Sequence, residues 1–289
     1  TPNVLSVESF TFLRRLGSGR FATVYLTQLN GTDAVYAMKE TSRTDLSKMA
    51  ACLEKDALIH LRGPFIVPLY FAFQTSSHFY LGLEFCKGGD LYSLQCRRNF
   101  TRDEVRFYLA EIAVGLDKIH SLGYIHRDLK PENIFIGSDG HILIGDFGLT
   151  KEIARKRSST LCGTATYMSP EMIEGRGVSK ETDWWSFGII AYLLLYKHMP
   201  FDDENKERLF RKIVRSAPMF PHNAERVEQD FVARFLTKDP LRRPSFQQIK
   251  DDPFWEGLDF SEVEAKHLAP PFVPDASLNI DALCDTYFD

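Results

Sequence analysis

Six short segments stand in a fixed order along this chain, and that order constrains the fold more than any other property. From the N-terminus they are Gly17-Ser18-Gly19-Arg20-Phe21-Ala22-Thr23-Val24, Ala37-Met38-Lys39, Glu54, His126-Arg127-Asp128-Leu129-Lys130-Pro131-Glu132-Asn133, Asp146-Phe147-Gly148 and Ser169-Pro170-Glu171. A glycine-rich loop alone is a weak signal, whereas all six in sequence at workable separations are a strong one. Gly17 and Gly19 let backbone N–H groups approach an anion with no side chain in the way. Lys39 ends the apolar run Val35-Tyr36-Ala37-Met38, which argues against an unrelated surface charge. Asn133 and Asp146 offer hard oxygen donors, and Asp128 adds a further carboxylate nearby in sequence. Either acid alone could be a solvated loop residue, but Asp128, Asn133 and Asp146 together in this phrasing are not.

The size and composition allow such an assembly. A chain of 289 residues can bury two lobes that share a cleft. Its hydrophobic fraction of 44% and charged fraction of 26% are ordinary for a globular protein. A net charge of -4 gives no general attraction to nucleic acid or to acidic membrane, so no nucleic-acid partner is expected. The longest strongly apolar run, Gly188 to Leu195, is too short to cross a bilayer and reads as a buried helix. No signal peptide opens the chain and its first residue is Thr, so a domain cut from a longer protein is expected. The five cysteines, Cys52, Cys86, Cys96, Cys162 and Cys284, are odd in number and form no CxxC pair. That argues against a disulfide framework or a zinc site and for a reducing, cytoplasmic compartment. Cys162 reads as an ordinary packed thiol rather than a redox centre.

Residues 10 to 85 carry short β-type runs such as Val24-Tyr25-Leu26 and Phe79-Tyr80-Leu81-Gly82-Leu83. One helical stretch interrupts them over Ser47 to Leu61, with Leu53, Ala57 and Leu61 at a spacing of four. Cys86-Lys87-Gly88-Gly89 punctuates the chain, and beyond it the pattern turns helical. Asp103 to His120 places Val105, Leu109, Ile112 and Leu116 on one face, with acids at the helix start. Pro270-Pro271-Phe272-Val273-Pro274 excludes regular helix near the end. The expectation is an α+β chain: a small β-rich lobe over 10–86, a larger helical lobe over 87–255 and an extended tail over 256–289.

In its motifs the chain resembles a protein kinase over nearly its whole length, and Lys130-Pro131-Glu132-Asn133 resembles the catalytic loop of Ser/Thr kinases. Within them it resembles the AGC group, which includes the cAMP-dependent, Akt-type and serum/glucocorticoid-regulated kinases. Asp183-Trp184-Trp185-Ser186, Thr160-Leu161-Cys162-Gly163-Thr164, and the tail segments Ala269 to Asp275 and Asp285 to Asp289 carry that likeness. The resemblance implies ATP and Mg²⁺ as cofactors. Gly17, Ser18, Gly19, Phe21, Val24, Ala37, Leu83, Glu84, Cys86, Phe135 and Phe288 would surround the nucleotide. Leu83 would be the gatekeeper, and Glu84, Phe85 and Cys86 the hinge. Lys39 would hold the α- and β-phosphates with Glu54 as its partner. Asp128 would be the catalytic base, Lys130 would neutralise the γ-phosphate, and Asn133 and Asp146 would hold the metal. Glu171 would pair with Arg243, and Asp183 would accept N–H groups of the catalytic loop. Leu58, Leu69, His126 and Phe147 would stack between the lobes.

For substrates, the resemblance implies proteins with basic Ser/Thr motifs, with a monomeric catalytic domain and an upstream activating kinase as a further partner. Asp90 and Glu132, counted among both nucleotide and substrate contacts, would bind an arginine three residues before the acceptor. Leu161 and Met168 would line the pocket for the following residue, and Leu193 stands where relatives that want arginine two before the acceptor place an acid. Thr160 would be the activating phosphorylation site, its phosphate gripped by Arg127 and Lys151. The chain departs from the pattern at Ala22 for the third loop glycine, Ser169 for alanine, Ala165 for proline, Phe135 for a smaller aliphatic and Gly145 for Thr or Ser. The hydrophobic motif that often follows the tail does not occur, and truncation is the expected reason. A pseudokinase scaffold and a small-molecule kinase are the rival readings; the intact catalytic set and the segment from Thr160 to Glu171 argue against them.

Overall fold

A computed structural model describes residues 5–19, 22–152, 163–275 and 277, with backbone alone for 45–48. Its small lobe is an antiparallel sheet of β1 (Phe10–Ser18), β2 (Ala22–Leu29), β3 (Val35–Ser42), β4 (Leu69–Gln74) and β5 (His78–Glu84), in the order β1-β2-β3-β5-β4. Helix α1 (Asp45–His60) joins β3 to β4. It starts two residues before the expected Ser47, because Thr44 is the last extended residue.

The pairing decides which side chains share a face. Val24 opposes Lys39, which opposes Leu81, while Leu26, Ala37 and Leu83 form the next row on the same side. That face looks into the cleft. The other face carries an aromatic cluster of Phe10, Tyr80, Tyr36, Phe71 and Phe73 around the fully buried Met38. Gly82 lies beneath it, and a Cβ there would sit 2.1 Å from the Phe71 ring.

The large lobe begins with α2 (Leu91–Arg97) and α3 (Arg102–Ser121), followed by β6 (Tyr124–Ile125), β7 (Ile134–Ile136), β8 (Ile142–Ile144) and β9 (Lys151–Glu152). Then come α4 (Pro170–Ile173), α5 (Lys180–Tyr196), α6 (Lys206–Arg215), α7 (Arg226–Phe235), α8 (Phe246–Lys250) and α9 (Phe260–Glu264). Helix α3 opens with a capping box, Thr101 accepting from the Glu104 N–H and Glu104 accepting from the Thr101 N–H. Helix α5 is apolar all round, as a helix at the centre of a lobe must be, and Trp185, Phe187, Ile189 and Ile190 on it are fully buried. Among the described residues no helix is long and apolar enough to cross a membrane.

The described tail runs back toward the hinge. Gly140 in the β7–β8 turn has φ 86°, and a Cβ there would sit 2.3 Å from the Phe272 carbonyl. Arg98 donates to the Pro271 carbonyl at 3.2 Å.

Candidate active site

Asp183, in the first turn of α5, anchors the loop that follows β6. It is fully buried and accepts the backbone N–H groups of His126 and Arg127, each at 2.9 Å. His120 on α3 meets the same carboxylate at 2.8 Å. Burial alone would push the Asp183 carboxyl up, but His120 and the N–H donors outweigh it and hold it below the ordinary carboxylate value. The anchoring has a structural consequence. Arg127 takes φ 70°, a left-handed conformation that costs a non-glycine residue about 1–2 kcal/mol and that the bonds to Asp183 offset.

Held this way, the loop presents Asp128 to the cleft. Its carboxylate accepts the Thr164 N–H at 2.9 Å and the Lys130 ammonium at 3.0 Å. Lys130 also donates to the Thr164 hydroxyl at 2.8 Å. Asn133 Nδ2 donates to the Asp128 carbonyl at 2.8 Å, which turns the Asn133 amide oxygen the other way. Gly163 allows the close approach of the neighbouring segment: its φ is 99°, and a Cβ would sit 3.1 Å from the Arg127 carbonyl.

The second group of charges spans the lobes. Lys39 Nζ lies 2.7 Å from Glu54 Oε1 on α1 and 2.8 Å from Asp146 Oδ1. Burial alone would lower the Lys39 ammonium, but the two carboxylates hold it above its ordinary value. The Lys39 charge in turn depresses Asp146 to about 2. Glu54 is buried at 3% exposure, while the Asp146 side chain is 45% exposed and open to the cleft. Leu58, His126 and Phe147 are buried behind this group, with the His126 and Phe147 rings 5.1 Å apart, and Leu69 packs half-buried against the same core.

Val24, Ala37 and Leu83 share the sheet face that carries Lys39, and Ala37 and Phe135 both pack half-buried against the same core cluster. Among the described residues a Cβ on Gly17 would meet nothing within 4 Å, and one on Gly19 would meet the Ala22 carbonyl at 3.8 Å. Among the described residues neither packing nor a positive φ demands glycine at either position. Glu84 donates its N–H to Pro68, and its carboxylate accepts from the Tyr70 hydroxyl. Cys86 is buried, and burial pushes its thiol well above the usual range. Phe21 and Phe288 lie outside the described residues.

Of the substrate-contact residues, Asp90 caps α2, accepting the Ser93 N–H at 2.8 Å and hydroxyl at 2.9 Å. Glu132 is different. Among the described residues its Oε2 is buried and meets no hydrogen-bond partner, and desolvation holds its carboxyl above the ordinary value. Met168 is 5% exposed, and Leu193 is buried on α5. Thr160 and Leu161 lie outside the described residues. Glu171 receives both guanidinium arms of Arg243, each at 2.7 Å.

Two residues in this network carry no role in the sequence reading. Thr164 has no signal beyond its place after Gly163. His120 meets Asp183 across 63 residues, a separation no local pattern reveals.

The protein kinase domain family matches residues 10–255. Serine/threonine-protein kinase gad8 of Schizosaccharomyces pombe is 37% identical over 289 residues, covering 96% of this chain and 50% of that protein. Ribosomal protein S6 kinase alpha-2 of Homo sapiens is 38% identical over 281 residues, covering 92% of this chain and 38% of that protein. Putative ribosomal protein S6 kinase alpha-1 of Caenorhabditis elegans is 37% identical over 296 residues, covering 98% and 37%. The chain thus spans half the length of the first relative and less of the other two.

Proposed function

From the premise that this chain belongs to the protein kinase family, with AGC-group Ser/Thr kinases as its relatives, we propose that it transfers the γ-phosphoryl group of ATP to serine or threonine of protein substrates. The observation that carries the proposal is the convergence of Asp128, Lys130, Thr164 and Asn133 on one side of the cleft with Lys39, Glu54 and Asp146 on the other.

The roles follow from that geometry. The transferred group passes through a loose transition state, so the protein supplies position and charge rather than covalent chemistry. Glu54 orients Lys39 toward the α- and β-phosphates, and the loop of Gly17, Ser18 and Gly19 lies over them. Asp128 directs the acceptor hydroxyl and receives its proton as the oxygen–phosphorus bond forms, while the bond to the bridging oxygen breaks and ADP leaves. Lys130 and Thr164 face the group in flight. The Asn133 amide oxygen and the open Asp146 carboxylate are hard donors that fit Mg²⁺. When bound, the metal offsets the negative charge of the phosphate oxygens.

The buried Oε2 of Glu132, unpartnered among the described residues, supports a finer reading. A guanidinium would satisfy it, so substrates carry arginine three residues before the acceptor, with Asp90 beside it, and a hydrophobic residue just after the acceptor against Leu161 and Met168. Activation follows from phosphorylation of Thr160. Lys151 is lowered first by desolvation and then by the nearby Arg127, two cations close enough to repel each other and to welcome a phosphate. Arg157-Ser158-Ser159-Thr160-Leu161 fits the same substrate pattern, so the kinase is also a candidate for its own upstream kinase, acting in trans.

The test is phosphate transfer from Mg-ATP to a peptide with arginine three before a serine, against the same peptide with alanine there and against water alone. Transfer favouring the arginine peptide is expected. ATP turnover indifferent to peptide, or no turnover with nucleotide bound, would contradict it.

A further inference from the structure

Asn133 and Asp146 flank one small hairpin. Asn133 immediately precedes β7, and Asp146 follows β8 by two residues. Three rows pair the strands, Ile134 with Ile144, Phe135 with Leu143 and Ile136 with Ile142, and the Gly145 N–H donates to the Asn133 carbonyl at 2.9 Å. The register of the hairpin therefore fixes how far apart Asn133 and Asp146 stand. It is a two-stranded sheet, and such a hairpin is marginal by itself, so its place depends on what holds its outer edges. On the β7 side Ile136 exchanges hydrogen bonds with Gly88 and Gly89, at 3.0 and 2.8 Å.

On the β8 side two N–H groups point away from β7. That of Ile144 donates at 2.9 Å to the carbonyl of Phe65, in the segment that joins α1 to β4. That of Ile142 donates at 2.9 Å to the carboxyl of Glu111, in the middle of α3. The other oxygen of Glu111 lies 2.5 Å from His141 Nδ1, and the His141 ring packs beside those of Phe107 and Phe65, with centroids 5.9 and 6.4 Å away. Glu111 is 1% exposed and His141 6%. A carboxyl is costly to bury, and an apolar side chain would serve this face of α3 better if packing were all the position required. One side chain instead takes the place of a third strand. Asp146 is thus reached from two anchors, and Glu111 is the one that refers β8 to the large lobe.

We propose that Glu111, with His141, is a positioning residue for the metal-donor pair Asn133 and Asp146: it holds β8 in place on α3 and so sets the spacing of the two donors. This rests on reading Asn133 and Asp146 as the residues that hold Mg²⁺ beside a nucleotide. Glu111 touches neither of them and acts through the backbone of β8. Four residues of extended chain separate Ile142 from Asp146, a reach of about 13 Å. Without Glu111 the Ile142 N–H is a buried donor with no acceptor, and the strand shifts to find one. Because β7 is pinned on its own edge, β8 is the strand that moves, and Asp146 moves with it relative to Asn133. The cost falls on metal binding. Lys39 and the small-lobe face of the cleft are not carried by the hairpin.

A linkage measurement tests this. ADP affinity is measured by calorimetry in EDTA and again with Mg²⁺, for wild type, Glu111→Ala, Glu111→Gln and Asp252→Ala, together with the thermal midpoint. In wild type Mg²⁺ should tighten ADP. In Glu111→Ala that tightening should shrink about tenfold, the lower end of what outer partners of a metal site are worth, with ADP affinity in EDTA within about twofold of wild type. Glu111→Gln keeps an acceptor for the Ile142 N–H and should restore most of the tightening. Asp252, a buried carboxylate that accepts the Phe254 N–H at 2.9 Å and pairs with Arg234 on α7, is the control for lost stability alone. Asp252→Ala should lower the thermal midpoint and leave the tightening intact. Unchanged tightening in Glu111→Ala, or an equal loss in Asp252→Ala, would overturn the proposal. Should Glu111→Ala fail to fold, His141→Phe decides. It keeps a ring beside Phe107 and Phe65, takes Nδ1 away from Glu111, and should reduce the tightening roughly threefold, whereas no reduction would contradict the proposal. Wild-type protein whose ADP affinity ignores Mg²⁺ would overturn the metal reading, and this inference with it.

Discussion

Thr164 donates its backbone N–H to Asp128 at 2.9 Å across 36 residues of chain, and its hydroxyl receives Lys130 at 2.8 Å. One residue thus ties the segment after Gly163 to both charged groups of the loop that follows β6. Thr164→Val keeps the shape and the backbone bond but removes the hydroxyl. It should lower kcat by about tenfold with KM for ATP nearly unchanged, because position at the reacting centre is lost and nucleotide contacts are not. Thr164→Ser should recover most of the rate. A Thr164→Val enzyme with wild-type kcat would remove Thr164 from the site.

The Lys39–Glu54 pair makes a prediction about stability as well as activity. Glu54 is 3% exposed, so Lys39→Met leaves a buried carboxylate without its cation. The expected cost is about 3 kcal/mol, read from denaturant unfolding. Lys39→Met/Glu54→Gln should regain much of that stability and none of the activity. Asp146 offers a pH check. Its carboxylate is depressed to about 2, so the stability it contributes is full above the ordinary carboxylate range and fades as pH falls through about 2. In Lys39→Met its titration should move up toward the ordinary value, measurable by carbon-detected NMR. Equal stability of the single and double variants would count against a buried pair.

Glu132 gives the substrate preference a pH signature. Burial holds its carboxyl protonated to a higher pH than an ordinary carboxylate, and only the ionised form binds a guanidinium well. KM for an arginine-containing peptide should therefore rise as pH falls, beginning at a higher pH than an ordinary glutamate would give. The matched alanine peptide should show no such limb. Glu132→Gln should remove the limb and raise KM for the arginine peptide about tenfold, the scale of one charged hydrogen bond. A limb of equal size for both peptides would contradict the assignment.

Incubating dephosphorylated protein with Mg-ATP should place phosphate on Thr160, at a fractional rate that grows with protein concentration. Mass spectrometry at several concentrations reads both. Arg157→Ala should slow the reaction without harming an enzyme already phosphorylated. Absence of phosphate on Thr160 would rule out self-activation, and a concentration-independent fractional rate would place the transfer within one molecule.

Much of this architecture is legible in the residues. Alternation in Val35-Tyr36-Ala37-Met38-Lys39 already places Ala37 and Lys39 on one face and Met38 on the other, and the 15-residue interval to Glu54 proves short enough for a 2.7 Å pair. Glu171 with Arg243 and Asp183 with the loop N–H groups were expected and are met in the structure. Other features depend on distances that no local pattern encodes. The His120–Asp183 contact joins two helices, the orphaned Glu132 oxygen is a matter of burial, and the fit of Gly145 to Phe135 shows only when both are in place. The departures at 135 and 145 read separately as two oddities, and in three dimensions they are one exchange of volume.

The measurement that bears most directly on the proposed function is the Asp128→Asn variant. Asp128 meets Lys130 and Thr164, while Lys39, Glu54 and Asp146 form a separate group. Peptide phosphorylation and ADP affinity should be measured side by side on the same preparation. The account predicts a loss of turnover of at least about a hundredfold, the scale of a positioned base, with ADP affinity within a few-fold of wild type. Near wild-type turnover in Asp128→Asn would contradict it.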